Sequence, residues 1–300
     1  MAATLVAALV PVLLIAAAGA ILARATRLDF RAVHVFAYWI AGPALVFRTV
    51  FLASLDAADF GRIAGFAVAT YAALLLLAVA IGRIAGWDRD KTRAAALSLA
   101  SMNCANYGLP IVAIAFGAEG LAIATAFVSI HIIVHVALGG TYAGWDPSRG
   151  WRDGARRILA IPYLYAVGLA LGLRVLVPAL PAPIDSTLDL LGQTWIPLLI
   201  LLLGVEFAAI QSFRGASEAI PLALVKLLVP PALALGLAIL FGWSGVPRAV
   251  LVLEASMPTA VNGVVFARQF GARPSLVAAT LVFSTVGSLV TLPLLLSALR

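Results

Sequence analysis

The stretch Ala100-Ser101-Met102-Asn103-Cys104-Ala105-Asn106-Tyr107-Gly108-Leu109-Pro110 runs through strongly apolar surroundings and places Asn, Gly and Pro at its centre. Gly108 lowers helix propensity, while Pro110 removes a backbone donor and clashes with the preceding turn. The wording returns in the second half as Ala255-Ser256-Met257-Pro258-Thr259-Ala260-Val261-Asn262-Gly263. Each copy is preceded by Gly-Trp (Gly86-Trp87, Gly242-Trp243) and Arg-Ala (Arg93-Ala94, Arg248-Ala249). Each is followed by Phe-Gly-Ala, at Phe116-Gly117-Ala118 and Phe270-Gly271-Ala272. Hydrophobic helices interrupted at corresponding positions of two halves are the sequence pointer to a secondary transporter's binding site.

The surroundings of these copies set the fold class. The chain has 300 residues, is 63% hydrophobic and only 11% charged, with mean hydropathy +1.09. That composition belongs to an all-α polytopic membrane protein. Long charge-free runs cover residues 1–23, 63–82, 94–118, 120–145, 227–247 and 274–299. At 1.5 Å per residue each can cross a hydrocarbon core of about 30 Å. Shorter runs at 32–47, 158–173 and 190–205, and a span at 249–267 that carries Glu254, complete a reading of ten helices. Alternating ten-residue segments of a membrane β-barrel are not seen. The first run reads as a true first helix rather than a cleaved signal.

The net charge of +7 is topology rather than a nucleic-acid footprint. With ten spans, the odd-numbered loops carry Arg24, Arg27 and Arg31; Arg83, Arg89, Lys91 and Arg93; Arg149, Arg152, Arg156 and Arg157; Arg214; Arg268 and Arg273. The even-numbered loops carry only Arg62, Arg174 and Arg248. The positive-inside rule puts the odd loops in the cytoplasm and both termini outside it. The single cysteine, Cys104, excludes an intramolecular disulfide, and no metal-ligand spacing accompanies it.

The longest connection, Gly144 to Arg157, divides the chain into residues 1–157 and 158–300, five spans each. An odd number of spans per half makes the second half enter the membrane from the opposite face, so the expectation is an inverted repeat. Pro43 in the second span and Pro197 in the seventh match at a similar offset. Unwound backbone at membrane depth is tolerated only where protein or a watery cavity covers it. If the fourth and ninth spans cross at their breaks, half-helix ends meet near the bilayer centre. Their N-terminal ends then suit an anionic group such as a carboxylate. Asn103, Asn106, Tyr107, Gly108, Pro110, Pro258, Thr259, Asn262 and Gly263 frame that expected substrate site, with Gln193 as a contact from the seventh span's approach.

Isolated polar residues within spans default to functional interest. Glu254, four residues before Pro258, and Glu206, late in the seventh span, are candidates to carry a coupling proton. Lys226, set between Leu224-Val225 and Leu227-Leu228, is read as charge-balancing, and Arg48 as snorkelling to the interface. His131 and His135 share one helical face and can titrate near neutral pH, although no third ligand makes a metal site of them. No enzyme motif is present: there is no His-Glu-x-x-His site, no Gly-x-Ser-x-Gly elbow and no nucleotide-binding loop. No cofactor is expected beyond a coupling H+ or Na+.

Asn103 to Pro110 followed by Phe116-Gly117-Ala118-Glu119-Gly120-Leu121 resembles the fourth-helix signature of the auxin efflux carrier family. Ser256 to Asn262, with Ser284-Thr285 and Thr291-Leu292-Pro293, resembles that family's C-terminal signature. Pro43-Ala44-Leu45-Val46-Phe47 resembles its second-helix motif, and Lys226-Leu227-Leu228-Val229-Pro230 its eighth. The family is similar in fold to bile-acid-symporter-like and sodium–proton-antiporter-like carriers. The resemblance implies crossed broken helices in a mobile transport domain (spans 3–5 and 8–10) against a scaffold (spans 1, 2, 6 and 7). It also implies elevator-type movement of small organic anions in the lipid bilayer of a bacterial inner membrane, by a homodimer. Ala105 stands where many members carry Gly, and Ile161-Pro162 where many carry Asn-Pro. The long cytoplasmic loop of plant hormone carriers is absent, which favours a mono- or dicarboxylate over auxin. The alternatives are a sodium-coupled bile-acid-type carrier and a non-transporting receptor or sensor on the same fold.

Overall fold

The computed structural model describes residues 2–26, 28–53, 55–143, 156, 159–208 and 216–299. Most of the Gly144–Arg157 connection, together with Arg27, Arg214 and Arg300, lies outside the described residues. The described chain is helical throughout. Its helices are α1 (Ala2–Ala25), α2 (Arg31–Leu52), α3 (Ala57–Ile84), α4 (Arg89–Ala100), α5 (residues 104–116) and α6 (residues 118–143). The second half holds α7 (Pro162–Leu176), α8 (Ala182–Gln193), α9 (Trp195–Ala208), α10 (Ala216–Leu240), α11 (Gly245–Ala255), α12 (Val261–Phe270) and α13 (Pro274–Leu299). Among the described residues, six helical stretches are long and apolar enough to cross a membrane, and Val10–Ala25 and Pro162–Leu176 are shorter apolar helices. The chain is a multi-pass membrane protein.

Local chemistry accounts for the helix ends. Asp56 and Asp88 cap α3 and α4 by accepting from the Asp59 and Lys91 amides at 2.7 and 2.8 Å. Each such cap contributes about 1 kcal/mol. The Lys91 amide, and then Arg273, which pairs with it, hold the Asp88 carboxyl below its usual range. Helix α3 closes on Gly86 (φ 62°), with the Trp87 amide reaching back to the Gly82 carbonyl at 2.8 Å. Helix α10 closes the same way on Gly242 (φ 71°), with Trp243 bonded to the Ala238 carbonyl at 2.8 Å. A left-handed residue at this point is the glycine-dependent helix stop, and the two Gly-Trp pairs are that device used twice. Gly117 (φ 62°) and Gly271 (φ 68°) then terminate α5 and α12.

Close backbone approach fixes the remaining packing. Leu201's carbonyl lies over Gly19 and Ala16's over Gly204, so α1 and α9 touch main chain to main chain. Small residues at membrane helix contacts permit this approach, and any β-carbon there would overlap a carbonyl. Gly42 of α2 packs under Tyr163 and Trp195, whose rings lie 5.7 Å apart. Arg48 does not snorkel: Asp185 and Asp189 of α8 hold its guanidinium at 2.7 and 2.8 Å. Large apolar side chains such as Leu14, Leu76, Val175, Leu190 and Leu240 stay more than half exposed, as a lipid-facing surface requires.

Candidate functional site

The first interruption opens at Ser101, which is extended (φ −78°, ψ 111°), and continues through Asn103 (φ −79°, ψ 47°). The chain then re-coils through a wide turn, Cys104–Gly108, before the regular helix that begins at Leu109. Pro110 explains the wide turn. It sits in the first regular turn, where its missing N–H costs little, and the looser coil ahead of it relieves the clash with the preceding carbonyl. The second interruption is simpler. Helix α11 stops at Ala255, and Ala260 is extended (φ −86°, ψ 153°) ahead of α12, whose N-terminus has no side-chain cap.

The two interruptions lie side by side. Met102 and Thr259 form an isolated antiparallel bridge: the Asn103 amide donates to the Pro258 carbonyl at 2.9 Å, and the Ala260 amide to Ser101's at 3.1 Å. The Thr259 hydroxyl donates to the Ser98 carbonyl at 2.8 Å, and its amide reaches Ser284 Oγ at 3.1 Å. Freed backbone groups of one break are thus satisfied by the other.

A cavity of about 140 Å³ opens on one side of this crossing. Its walls come from the breaks (Asn103, Asn106, Asn262), from α6 (His131, His135), from α2 (His34, Tyr38), and from Tyr163, Trp195 and Glu206. Three of these side chains hold buried nitrogens without a partner: Asn103 Nδ2, His131 Nδ1 and Trp195 Nε1. The Met102 amide makes His131 Nδ1 the N–H of its neutral ring, while His135 bonds the Asn262 backbone. His131 Nε2 accepts from the Met102 amide at 3.4 Å, and His135 Nδ1 faces the hydroxyls of Tyr71 at 3.0 Å and Ser101 at 3.4 Å. The proton of the neutral His131 ring therefore sits on Nδ1. A buried, unpaired donor costs about 1–3 kcal/mol, so Asn103 Nδ2, His131 Nδ1 and Trp195 Nε1 on residues of one cavity favour a ligand rich in acceptors. On the opposite wall Glu206 reaches His34 at 3.4 Å and keeps its second oxygen unpaired.

The structure thus brings Asn103, Asn106, Asn262, His131 and Glu206 to one cavity and leaves the other expected residues outside it. Tyr107, whose hydroxyl lies 3.4 Å from Ser288 Oγ, lines a separate apolar cleft between α1, α9 and α13. Pro258 and Thr259 serve the bridge, and Gly263 lets α12 approach the Leu97 carbonyl and Ser101. Gln193 is exposed and donates to Asp189 at 2.7 Å. Behind the crossing, Lys226 is fully buried and donates to the Leu99 carbonyl at 2.7 Å, at the C-terminal end of α4. Glu254 is fully buried against Gly108 with neither oxygen bonded. His34, Tyr38, Tyr163 and Trp195 are site residues that sequence reasoning missed. Only the intramembrane position of His34 marked one of them in advance.

Comparison with known proteins agrees with this architecture. A family model described as membrane transport protein matches residues 154–296. An uncharacterized transporter of Methanothermobacter thermautotrophicus is 29% identical over 257 residues, spanning 85% of this chain and 84% of its own length. An uncharacterized transporter of Methanocaldococcus jannaschii is 28% identical over 206 residues, 66% of each chain. These matches and the bundle of apolar helices, two of them interrupted beside a cavity, make the chain a membrane transporter whose second half is similar to the membrane transport protein family.

Proposed function

We propose that the chain moves small organic anions of the mono- or dicarboxylate class, bound in the cavity beside the crossing. The observation that carries this reading is the set of three unpaired N–H donors, on Asn103, His131 and Trp195, among the residues of one cavity. A carboxylate offers about four lone-pair sites and satisfies such a set, whereas an apolar solute leaves every donor unpaired. The uncapped N-terminus of α12, at Val261 and Asn262 on the cavity wall, adds the partial positive charge of a helix start. A volume near 140 Å³ suits a small acid rather than a nucleotide or peptide.

In this reading the helices make ten spans, with α4–α5, α8–α9 and α11–α12 each counted once. The halves are inverted repeats. The paired stops at Gly86 and Gly242, and at Gly117 and Gly271, support that relation. Spans 3–5 and 8–10 form the moving body and carry the crossing, while α1, α2 and α7 to α9 form the scaffold. The cavity lies between the two, as an elevator-type carrier needs, because its walls come from both. The basic loops place the termini on the extracytoplasmic side of a bacterial inner membrane, with a second copy completing a homodimer. Coupling uses a proton or sodium, and no cofactor takes part.

The test is uptake of labelled lactate and succinate into proteoliposomes by wild type, Asn103→Ala and Asn262→Ala. Flux is expected to fall at least about tenfold in each variant, the loss of one or two charge-assisted hydrogen bonds, with thermal stability close to wild type. Undiminished flux in both would sink the crossing as the binding site.

A further inference from the structure

The cavity recognises a carboxylate with donors but offers no formal positive charge of its own. Among the described residues that line it there is no Lys or Arg, and its one carboxylate, Glu206, is negative. Lys226, the cation buried behind the crossing, is committed to the Leu99 carbonyl and does not line the cavity. A helix N-terminus supplies about half a positive charge, which leaves a bare anion under-compensated in a low-dielectric site. We propose that a proton enters with the carboxylate and resides on His135, so that anion and proton load together. The inference rests on the carboxylate reading above.

Geometry selects His135 over its neighbour. Protonation of a neutral ring adds hydrogen to the nitrogen that was accepting. His135 donates to the Asn262 backbone, which leaves Nδ1 as its accepting nitrogen, facing two hydroxyls, Tyr71 Oη at 3.0 Å and Ser101 Oγ at 3.4 Å. Hydroxyls rotate, so both partners can turn from donating to accepting without moving a heavy atom. For His131 the accepting nitrogen faces the Met102 amide, a fixed donor that cannot reverse. The amide of Met102 is held in the bridge strand, so His131 stays neutral and keeps its Nδ1–H as a donor. The His135 ring also lies parallel to Phe266, with centroids 4.6 Å apart and planes 7° from parallel. An imidazolium stacked on an aromatic face is favoured over the neutral ring.

The other titratable or charged groups around His135 are accounted for by element. Helix α3 contributes Tyr71, the break contributes Cys104 on the cavity wall, and α6 contributes His131, stacked at 6.1 Å. Helix α12 presents Phe266 and Asn262, neither of which is ionisable. Across the cavity stand His34 and Glu206, already paired with one another. Lys226 stays behind the crossing on the Leu99 carbonyl. In the loading step the proton comes from bulk water, binds Nδ1 and is donated to Tyr71 or Ser101. No covalent bond to the substrate forms.

The test is titration calorimetry of purified protein with lactate, benzoate and succinate, in buffers of differing ionisation enthalpy, from about pH 6 to about pH 8. Wild type is expected to take up about one proton per ligand on the alkaline side, with affinity falling about tenfold for each unit of rising pH there. His135→Gln is expected to lose proton uptake and the pH dependence. His131→Gln is expected to weaken binding yet keep the uptake, which a merely structural pair would not do. Wild-type binding that is independent of pH, with no uptake, overturns the proton inference and leaves the carboxylate reading standing. Uptake that survives His135→Gln but vanishes in Glu206→Gln overturns the assignment to His135. Failure of every acid to bind at any pH overturns the carboxylate reading and the inference with it.

Discussion

The two interrupted helices begin from nearly the same residues and end with different chemistry. Leu99-Ala100-Ser101-Met102 and Glu254-Ala255-Ser256-Met257 align position for position, and both copies run from a Gly-Trp stop to a left-handed glycine. Past Met102 the first copy re-coils through a wide turn that sets Asn103 and Asn106 on the cavity wall. Past Met257 the second stays extended through Ala260 and starts α12 uncapped, with Asn262 on the same wall. Behind the crossing the asymmetry is one of charge. Leu99 offers only its carbonyl, to Lys226, while the matching side chain in the second copy is the buried, unbonded carboxylate of Glu254. The backbone frame is shared between the copies, and the polar groups are not. The cavity-lining amides and the buried charges therefore lie on two sides of one crossing.

Three substitutions break or sharpen that comparison, and each is read as thermal unfolding in detergent with a thiol-reactive dye on buried Cys104, the only cysteine. The largest effect is expected at Gly108, where any β-carbon overlaps the Glu254 carboxylate. Gly108→Ala should destabilise by about 3 kcal/mol, the upper end of overpacking, and recover most of that in the Gly108→Ala/Glu254→Ala double variant. Strict additivity of the two changes would show that the pair does not pack as described. Next, Lys226→Met removes the ammonium that donates to the Leu99 carbonyl and should cost about 2 kcal/mol. An unchanged midpoint would mean that the ammonium contributes nothing to holding the end of α4. The smallest effect has the opposite sign. Glu254→Leu, which gives the second copy the first copy's residue, should stabilise by about 1 kcal/mol by removing a buried carboxylate that has no partner. It should also slow transport, because a costly group of that kind is kept for function. Loss of stability on this change would point to a partner that the geometry does not contain.

Much of the fold was legible because it rests on local backbone chemistry. Gly86, Gly117, Gly242 and Gly271 mark helix ends by what glycine alone tolerates, and Pro110 and Pro258 mark where a regular helix cannot run. Asn103, Asn106 and Asn262 were legible for the same reason, since they sit within a few residues of those breaks. Tyr163, Trp195 and His34 were not, because what makes them site residues is the packing of α2, α7 and α9 against the crossing. Gln193 shows the converse. Its place just before Pro197 pointed inward, yet one turn of α8 brings it to Asp189 at the surface. Periodicity is equally silent about which side of a break faces a cavity, so Glu254 and Lys226 read as intramembrane charges without revealing that they lie behind the crossing.

The short bridge at Met102 and Thr259 has a mechanical meaning. Two amide bonds, Asn103 to Pro258 and Ala260 to Ser101, rivet the midpoints of both broken helices together. A hinge at either break alone would have to shear those bonds inside the protein, with no water to replace them. The riveted pair is therefore stiff where a lone broken helix is weakest, and the two breaks can shift only as one unit.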